Sequence, residues 1–105
     1  LKKISKEVFI TTDDGSAGRC GFITSCFAEE LKKEKFKYVF VCGPNPMMKI
    51  THAICRKADL SAQFSLESIM GCGVGACMCC VTETITNYKK VCSDGPVFKG
   101  EELKW

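Results

Sequence analysis

This sequence lacks any apolar run long enough to cross a membrane, and its opening residues do not have the pattern of a secretory leader. No spanning segment is therefore expected. A massed basic stretch is missing as well. Lys and Arg are scattered through a chain of net charge +3, and the densest group, Leu31-Lys32-Lys33-Glu34-Lys35, reads as the solvated end of a helix. Nothing in that distribution calls for a nucleic acid partner. No internal repeat or low-complexity segment is visible. There is no Gly-x-Gly-x-x-Gly turn either, and Gly15-x-x-Gly18-x-x-Gly21 does not replace it. If a dinucleotide binds, most of its pyrophosphate site is expected in residues beyond this stretch. The chain opens at Leu1 rather than Met, in what reads as the end of a helix, so further sequence is expected in front of it.

Cysteine is what the sequence has in excess. Nine Cys in 105 residues fall in the range where a disulfide scaffold or a metal site is expected. Metal is favoured. The odd count leaves one thiol over in any all-disulfide scheme. Cys72, Cys77, Cys79 and Cys80 lie within nine residues, too close for comfortable mutual bridging. The remaining Cys lie in apolar, regular-looking segments, where Cys behaves as a small hydrophobe. A reducing, cytoplasmic setting fits this usage. The length, with 46% hydrophobic residues, suits one small globular unit or two very small ones sharing a surface.

The pattern along the chain predicts α/β layering first. A strand over Val8–Thr12 ends at the turn Asp13-Asp14-Gly15-Ser16. A helix follows with Ile23, Phe27 and Leu31 at four-residue steps. Tyr38–Cys42 is apolar throughout, as in a parallel strand buried on both faces. It stops at Gly43-Pro44. Asn45 then offers an N-cap with Pro46 in the first helical position. The helix runs to about Lys57, with Met47, Ile50, Ile54 and Ala58 as its inner stripe and His52 on its solvated side. This strand-helix-strand-helix order predicts a partial parallel-sheet nucleotide-binding domain over residues 1–60. A small β-rich domain is expected over 61–105. It comprises a short strand at Gln63–Leu66, a Gly/Cys loop from Gly71 to Cys80, and a hairpin of Val81–Ile85 with Tyr88–Val91 around Thr86-Asn87.

The Gly/Cys loop carries the chemistry. Cys72-x4-Cys77-x2-Cys80 is the spacing of the first three ligands of a plant-type [2Fe–2S] site, and Cys92 supplies a later fourth. Such a cluster needs four thiolates around two irons and backbone amides turned toward its sulfides. The backbone can wrap that closely only if side chains are small, and Gly71, Gly73, Gly75 and Ala76 are. Ile69, Met70, Val74 and Met78 are expected to shield the site from water. A structural zinc site also uses four Cys, but usually as two separated CxxC pairs. Here there is one, with a Gly-rich spacer. Cys79 competes with Cys80 for the third position; Cys80 keeps the two-residue gap.

The nucleotide side is less specific. Met47-Met48 reads first as core filler. Cys42-Gly43-Pro44 at a strand end keeps the tip low enough for a flat ring to lie across it. Asp13-Asp14 caps a turn, or places a carboxylate where an adenosine ribose diol would donate to it, favouring NAD over a 2′-phosphate.

Taken in order, Thr12-Asp13-Asp14-Gly15-Ser16, Val41-Cys42-Gly43-Pro44-x-Pro46-Met47-Met48, Ser65-Leu66-Glu67-Ser68, Cys72-Gly73-Val74-Gly75-Ala76-Cys77-x-x-Cys80-Val81 and Val91-Cys92-x-Asp94-Gly95-Pro96-Val97-Phe98 resemble one family. It is the electron-transfer subunit of NAD-dependent (type B) dihydroorotate dehydrogenase, C-terminal part, within the ferredoxin–NADP reductase superfamily. The resemblance covers nearly everything from residue 8 onward. It implies electron relay in pyrimidine biosynthesis, from the FMN of a catalytic subunit through a [2Fe–2S] cluster to FAD and NAD, in a hetero-oligomer. It implies Cys72, Cys77, Cys80 and Cys92 as metal ligands, Cys42, Gly43, Pro44 and Met47 near a nicotinamide, and Asp13 near the adenosine ribose. The family's FAD-binding barrel and first Gly-rich strand turn have no counterpart here, so this stretch alone is not expected to be catalytically complete. Two other readings stand beside it: a flavin/iron–sulfur subunit of a different oxidoreductase, such as a sulfide dehydrogenase or hydrogenase, and a zinc-stabilised interaction module.

Overall fold

A computed structural model describes residues 1–105. The chain divides into two compact units, Leu1–Lys35 and Phe36–Trp105. The boundary expected near residue 60 would fall inside the second of these.

The first unit holds β1 (Thr11–Thr12), β2 (Arg19–Cys20) and α1 (Ile23–Lys33). Of the expected strand over residues 8–12 only the last two residues pair, Thr11 with Arg19 and Thr12 with Cys20 in parallel. The turn between them forms where the sequence puts it. Asp14 accepts the Ser16 N–H at 2.9 Å, and the Thr12 hydroxyl donates to the Ala17 carbonyl at 2.9 Å. At Gly18, φ is +66° and a Cβ would overlap the Ile10 carbonyl, so both backbone and space demand glycine. In α1, Thr24 is buried and Phe27 and Leu31 are half-buried, while Ile23 is exposed. The stripe therefore starts at Thr24, three residues before Phe27, because Ile23 is the helix's first residue and lies off the packed face.

The second unit is built on a three-stranded sheet of β3 (Tyr38–Cys42), β4 (Ser61–Ser65) and β7 (Val97–Lys99), with β4 in the middle. β3 and β4 run parallel, from Tyr38 opposite Ser61 to Cys42 opposite Ser65, joined by the crossover helix α2 (Asn45–Lys57). β7 pairs antiparallel on the far side of β4, Phe98 opposite Phe64. β5 (Val81–Glu83) and β6 (Tyr88–Lys90) make the expected hairpin, closed by the Thr84 hydroxyl on the Asn87 carbonyl at 2.6 Å. A single helical turn, α3 (Val91–Asp94), follows it directly.

Several expectations shift here. β3 is not buried on both faces: Tyr38 and Phe40 are 65% and 75% exposed. It is the sheet's edge strand, and no element of this unit covers its outer face. Helix α2 starts one residue early, with Pro44 at the cap position (φ −59°, ψ 143°) and Asn45 already helical. Its inner stripe is Met48, Thr51 and Cys55, each one position beyond the expected Met47, Ile50 and Ile54, and Ile50 faces solvent. Thr51 tolerates burial because its hydroxyl donates to the Met47 carbonyl at 2.9 Å. His52 is not a solvated residue either. Its Nδ1 accepts the Trp105 indole N–H at 2.8 Å, and its ring meets Phe64 edge-on at 5.3 Å.

One buried cluster gathers Val41, Met48, Phe64, Leu66, Cys80, Val91, Phe98 and Leu103. It joins the sheet and α2 to the end of the cysteine loop and to the hairpin, so the loop is anchored at Cys80 while the rest of it stands at the surface. No helix is long and apolar enough to cross a membrane.

Candidate metal centre

Residues 71–80 form no helix or strand. The loop holds its shape through backbone amides directed at sulfur. Cys72 Sγ accepts the N–H groups of Ala76 at 3.2 Å and Cys77 at 3.3 Å. Gly73 and Gly75, at φ +70° and +82°, turn the chain so that these amides point inward. The same donors act on the thiol's acidity. The Cys77 amide, then the Val74 amide, the Cys77 thiol and the Ala76 amide bring Cys72 down from the usual thiol range to about 6.

A second sulfur pair forms at the loop's end. Cys80 is 2% exposed and Cys92 sits half-buried on α3. Cys80 Sγ accepts the Cys92 N–H at 3.5 Å, and the Cys80 carbonyl accepts the Val91 N–H at 2.9 Å. The Cys92 amide and then its thiol lower the Cys80 pKa, while the Cys80 sulfur raises that of Cys92. Cys77 and then charge on nearby sulfurs raise the pKa of Cys79. The contacts to sulfur fall at two places: the Cys77 amide on Cys72 with the Cys77 and Cys79 sulfurs against Gly71, and the Cys92 amide on Cys80. No three Cys, His, Asp or Glu side chains close around a single ion position.

The glycine at the loop's start is fixed by space. A Cβ on Gly71 would lie 2.9 Å from Cys79 Sγ and 3.0 Å from Cys77 Sγ. This is a cradle of sulfur and bare backbone, the environment a cluster of two irons and two sulfides needs. Two residues outside the expected site support it. Lys90 Nζ donates to the Gly75 carbonyl at 2.6 Å, tying the hairpin to the loop, and Asp94 accepts the Lys90 N–H at 2.7 Å at the base of α3. Their signal in the sequence was only their closeness to Cys92. Ile69, Met70, Val74 and Met78, the expected shield, stand at the surface, 83%, 49%, 77% and 66% exposed.

The expected nucleotide residues divide between the units. In the second, Cys42 is exposed at the end of β3, and Met47 folds over Gly43, where a Cβ would meet Met47 Cε at 2.6 Å. Pro44 caps α2. In the first, Asp13 is exposed and its carbonyl accepts the Cys20 thiol at 3.2 Å.

Residues 67–104 match the family model described as the iron–sulfur cluster binding domain of dihydroorotate dehydrogenase B. Over 92% of its length the chain is 44% identical to the electron transfer subunit of NAD(+)-type dihydroorotate dehydrogenase B from Caldanaerobacter subterraneus, covering 40% of that protein. Against the probable counterpart from Methanocaldococcus jannaschii it is 44% identical over its full length, again covering 40% of the relative. The chain resembles the electron transfer subunit of dihydroorotate dehydrogenase B. The stretch matched to this subunit's cluster binding domain contains Cys72, Cys77, Cys79, Cys80 and Cys92, together with Lys90 and Asp94. The chain spans about two fifths of the length of these dihydroorotate dehydrogenase B relatives. A solved structure adds a second comparison: a chain from work on flavin-based electron bifurcation by an NADH-dependent reduced ferredoxin–NADP oxidoreductase. It is 35% identical at a TM-score of 0.81, over 92% of this chain and 35% of that one.

Proposed function

We propose that this chain belongs to the electron-transfer subunit of an NAD-dependent dihydroorotate dehydrogenase, with a [2Fe–2S] cluster held by Cys72, Cys77, Cys80 and Cys92. The observation that carries the reading is the pairing of sulfurs. The Cys77 amide donates to the Cys72 sulfur and the Cys92 amide to the Cys80 sulfur, which sets these four cysteines in two pairs; two irons each need two thiolates, whereas one zinc ion needs four donors at a single point. When bound, the cluster supplies a one-electron carrier between flavins.

The chain's own residues set the conditions for it. The Ala76 and Cys77 amides on Cys72 and the Cys92 amide on Cys80 favour thiolate over thiol, so the ligands lose their protons readily. The Lys90 bond to Gly75 holds the loop closed and brings a positive charge to a site of negative sulfur. Ile69, Val74 and Met78 present apolar surface at the loop, suited to a partner that excludes water on docking. That partner is an FMN-containing catalytic subunit in a hetero-oligomer. FAD and NAD belong to the longer protein. In this chain Cys42, Gly43, Pro44 and Met47 would border the nicotinamide and Asp13 the adenosine ribose. Functionally, residues 1–60 then form the end of a ferredoxin-reductase-type NAD-binding domain and 61–105 a β-rich cluster-binding domain, in a cytoplasmic enzyme. The test is to mix the full-length protein with an FMN-type dihydroorotate dehydrogenase and follow NAD reduction coupled to orotate formation. Absence of stimulation rules against this partner.

A flavin/iron–sulfur subunit of another oxidoreductase is the second reading, supported by the likeness to the ferredoxin–NADP oxidoreductase chain. It keeps the same cluster ligands and differs only in the electron donor, so the same assay separates the two. The zinc module is separated by colour: an iron–sulfur protein is reddish-brown and a zinc protein colourless.

A further inference from the structure

We propose that Cys79 is a reserve ligand placed to substitute for Cys77 rather than for its neighbour Cys80. The inference deepens the cluster reading above and rests on it. By spacing alone Cys79 competes with Cys80 for the third ligand position. The geometry reverses that. A Cβ on Gly71 would meet the sulfur of Cys79 at 2.9 Å and that of Cys77 at 3.0 Å, so both thiols lie against one point of the loop's opening backbone. Cys80 turns the other way, into the core, where its sulfur takes the Cys92 amide. Cys79 is exposed, and the segment that carries it is held in no helix or strand.

The exchange balances without a redox partner. Were Cys79 to replace Cys77, the Cys77 thiolate would give up its bond to iron and take a proton from water, while the Cys79 thiol would lose its proton to water and its sulfur would supply the replacing bond. In a chain without Cys77 only the second half occurs. No iron changes oxidation state.

The test compares Cys77→Ala, Cys79→Ala, their double variant and Cys72→Ala in the full chain, isolated without oxygen. Alanine offers no oxygen to stand in as a ligand. Iron and acid-labile sulfide are measured per folded chain, with visible circular dichroism as the report on ligand geometry. Cys79→Ala retains the native content and spectrum. Cys77→Ala retains about half or more of the iron with an altered spectrum, whereas the double variant and Cys72→Ala fall to about a tenth or less. A folded Cys77→Ala without iron overturns the proposal, as does a double variant that holds as much iron as Cys77→Ala. If Cys77→Ala does not fold, the rate at which a chelator strips the native chain and Cys79→Ala decides. Several-fold faster loss from Cys79→Ala supports the reserve role, and equal rates overturn it. A native chain that holds no iron overturns the parent reading, whereas iron in the native chain and none in Cys77→Ala overturns this inference alone.

Discussion

Gly71→Ala separates the demands of the cluster from those of the fold. The backbone at Gly71 does not lie in the left-handed region, so alanine adds no conformational strain. It adds one carbon, 2.9 Å from Cys79 Sγ and 3.0 Å from Cys77 Sγ. Non-bonded heavy atoms settle at about 3.5–4.0 Å, so the sulfurs have to retreat by about 0.5–1 Å. Both are ends of side chains on a surface loop and can do so cheaply while no metal is bound. The folded, cluster-free chain should therefore lose less than about 1 kcal/mol. A metal site tolerates only about 0.5 Å of ligand displacement, and Cys77 is one of the proposed ligands. Gly71→Ala should melt near the native temperature when cluster-free yet load iron poorly. Gly73→Ala is the matched control. It meets no atom within 4 Å but sits at φ +70°, so it costs about 1–2 kcal/mol of backbone strain without displacing a sulfur. The paired assay is urea unfolding of the cluster-free chains and iron content of the reconstituted ones. A Gly71→Ala chain that loads iron as well as the native one refutes the cradle geometry.

Other outcomes follow from the same contacts. Cys92→Ala should abolish or strongly destabilise cluster binding while leaving the fold, read as iron per chain beside far-ultraviolet circular dichroism. Lys90→Met removes the charged hydrogen bond to Gly75 at 2.6 Å and should lower the stability of the cluster-free chain by about 1.5–3 kcal/mol, seen as a lower urea midpoint. Phe64→Ala empties the centre of the core, where Phe64 is 0% exposed, and should cost about 3–5 kcal/mol by the same measurement. Burial, and secondarily the charge of Arg56, holds the pKa of His52 below its ordinary 6.5. The unfolded chain then takes the proton first as pH falls, so this contribution to stability is complete above pH 6.5 and is lost as pH drops through the lower folded value. Protonation at Nδ1 breaks the bond from Trp105, and Trp105 is the only tryptophan. Its fluorescence should titrate below pH 6.5, and a flat profile, or one unaffected by His52→Gln, contradicts this.

What could be read from the sequence was local and covalent. Cysteine spacing marks the loop because ligand geometry constrains intervals along the chain, and the glycines between them carry their own reason. The Val81–Glu83 and Tyr88–Lys90 hairpin, strand β3 and helix α2 follow from alternation and continuous apolar runs, but the parallel pairing of β3 with β4 was not expected, because β4 was assigned to the β-rich domain over 61–105. What was missed depends on contacts that hydrophobic patterning does not register. The stripe of α2 turned by one residue because Thr51 hides its hydroxyl on Met47, a bond that hydrophobic periodicity does not register. His52 reads as solvated until Trp105, 53 positions away, is seen to donate to it. β3 reads as doubly buried because its sequence suits that, yet no element of its unit covers Tyr38 and Phe40.

The most direct measurement is metal and sulfide stoichiometry on the chain isolated without oxygen, with an electron paramagnetic resonance spectrum after one-electron reduction. The account predicts two irons and two labile sulfides per chain and the signal of a single reduced binuclear centre. A colourless chain carrying one zinc and no sulfide contradicts it.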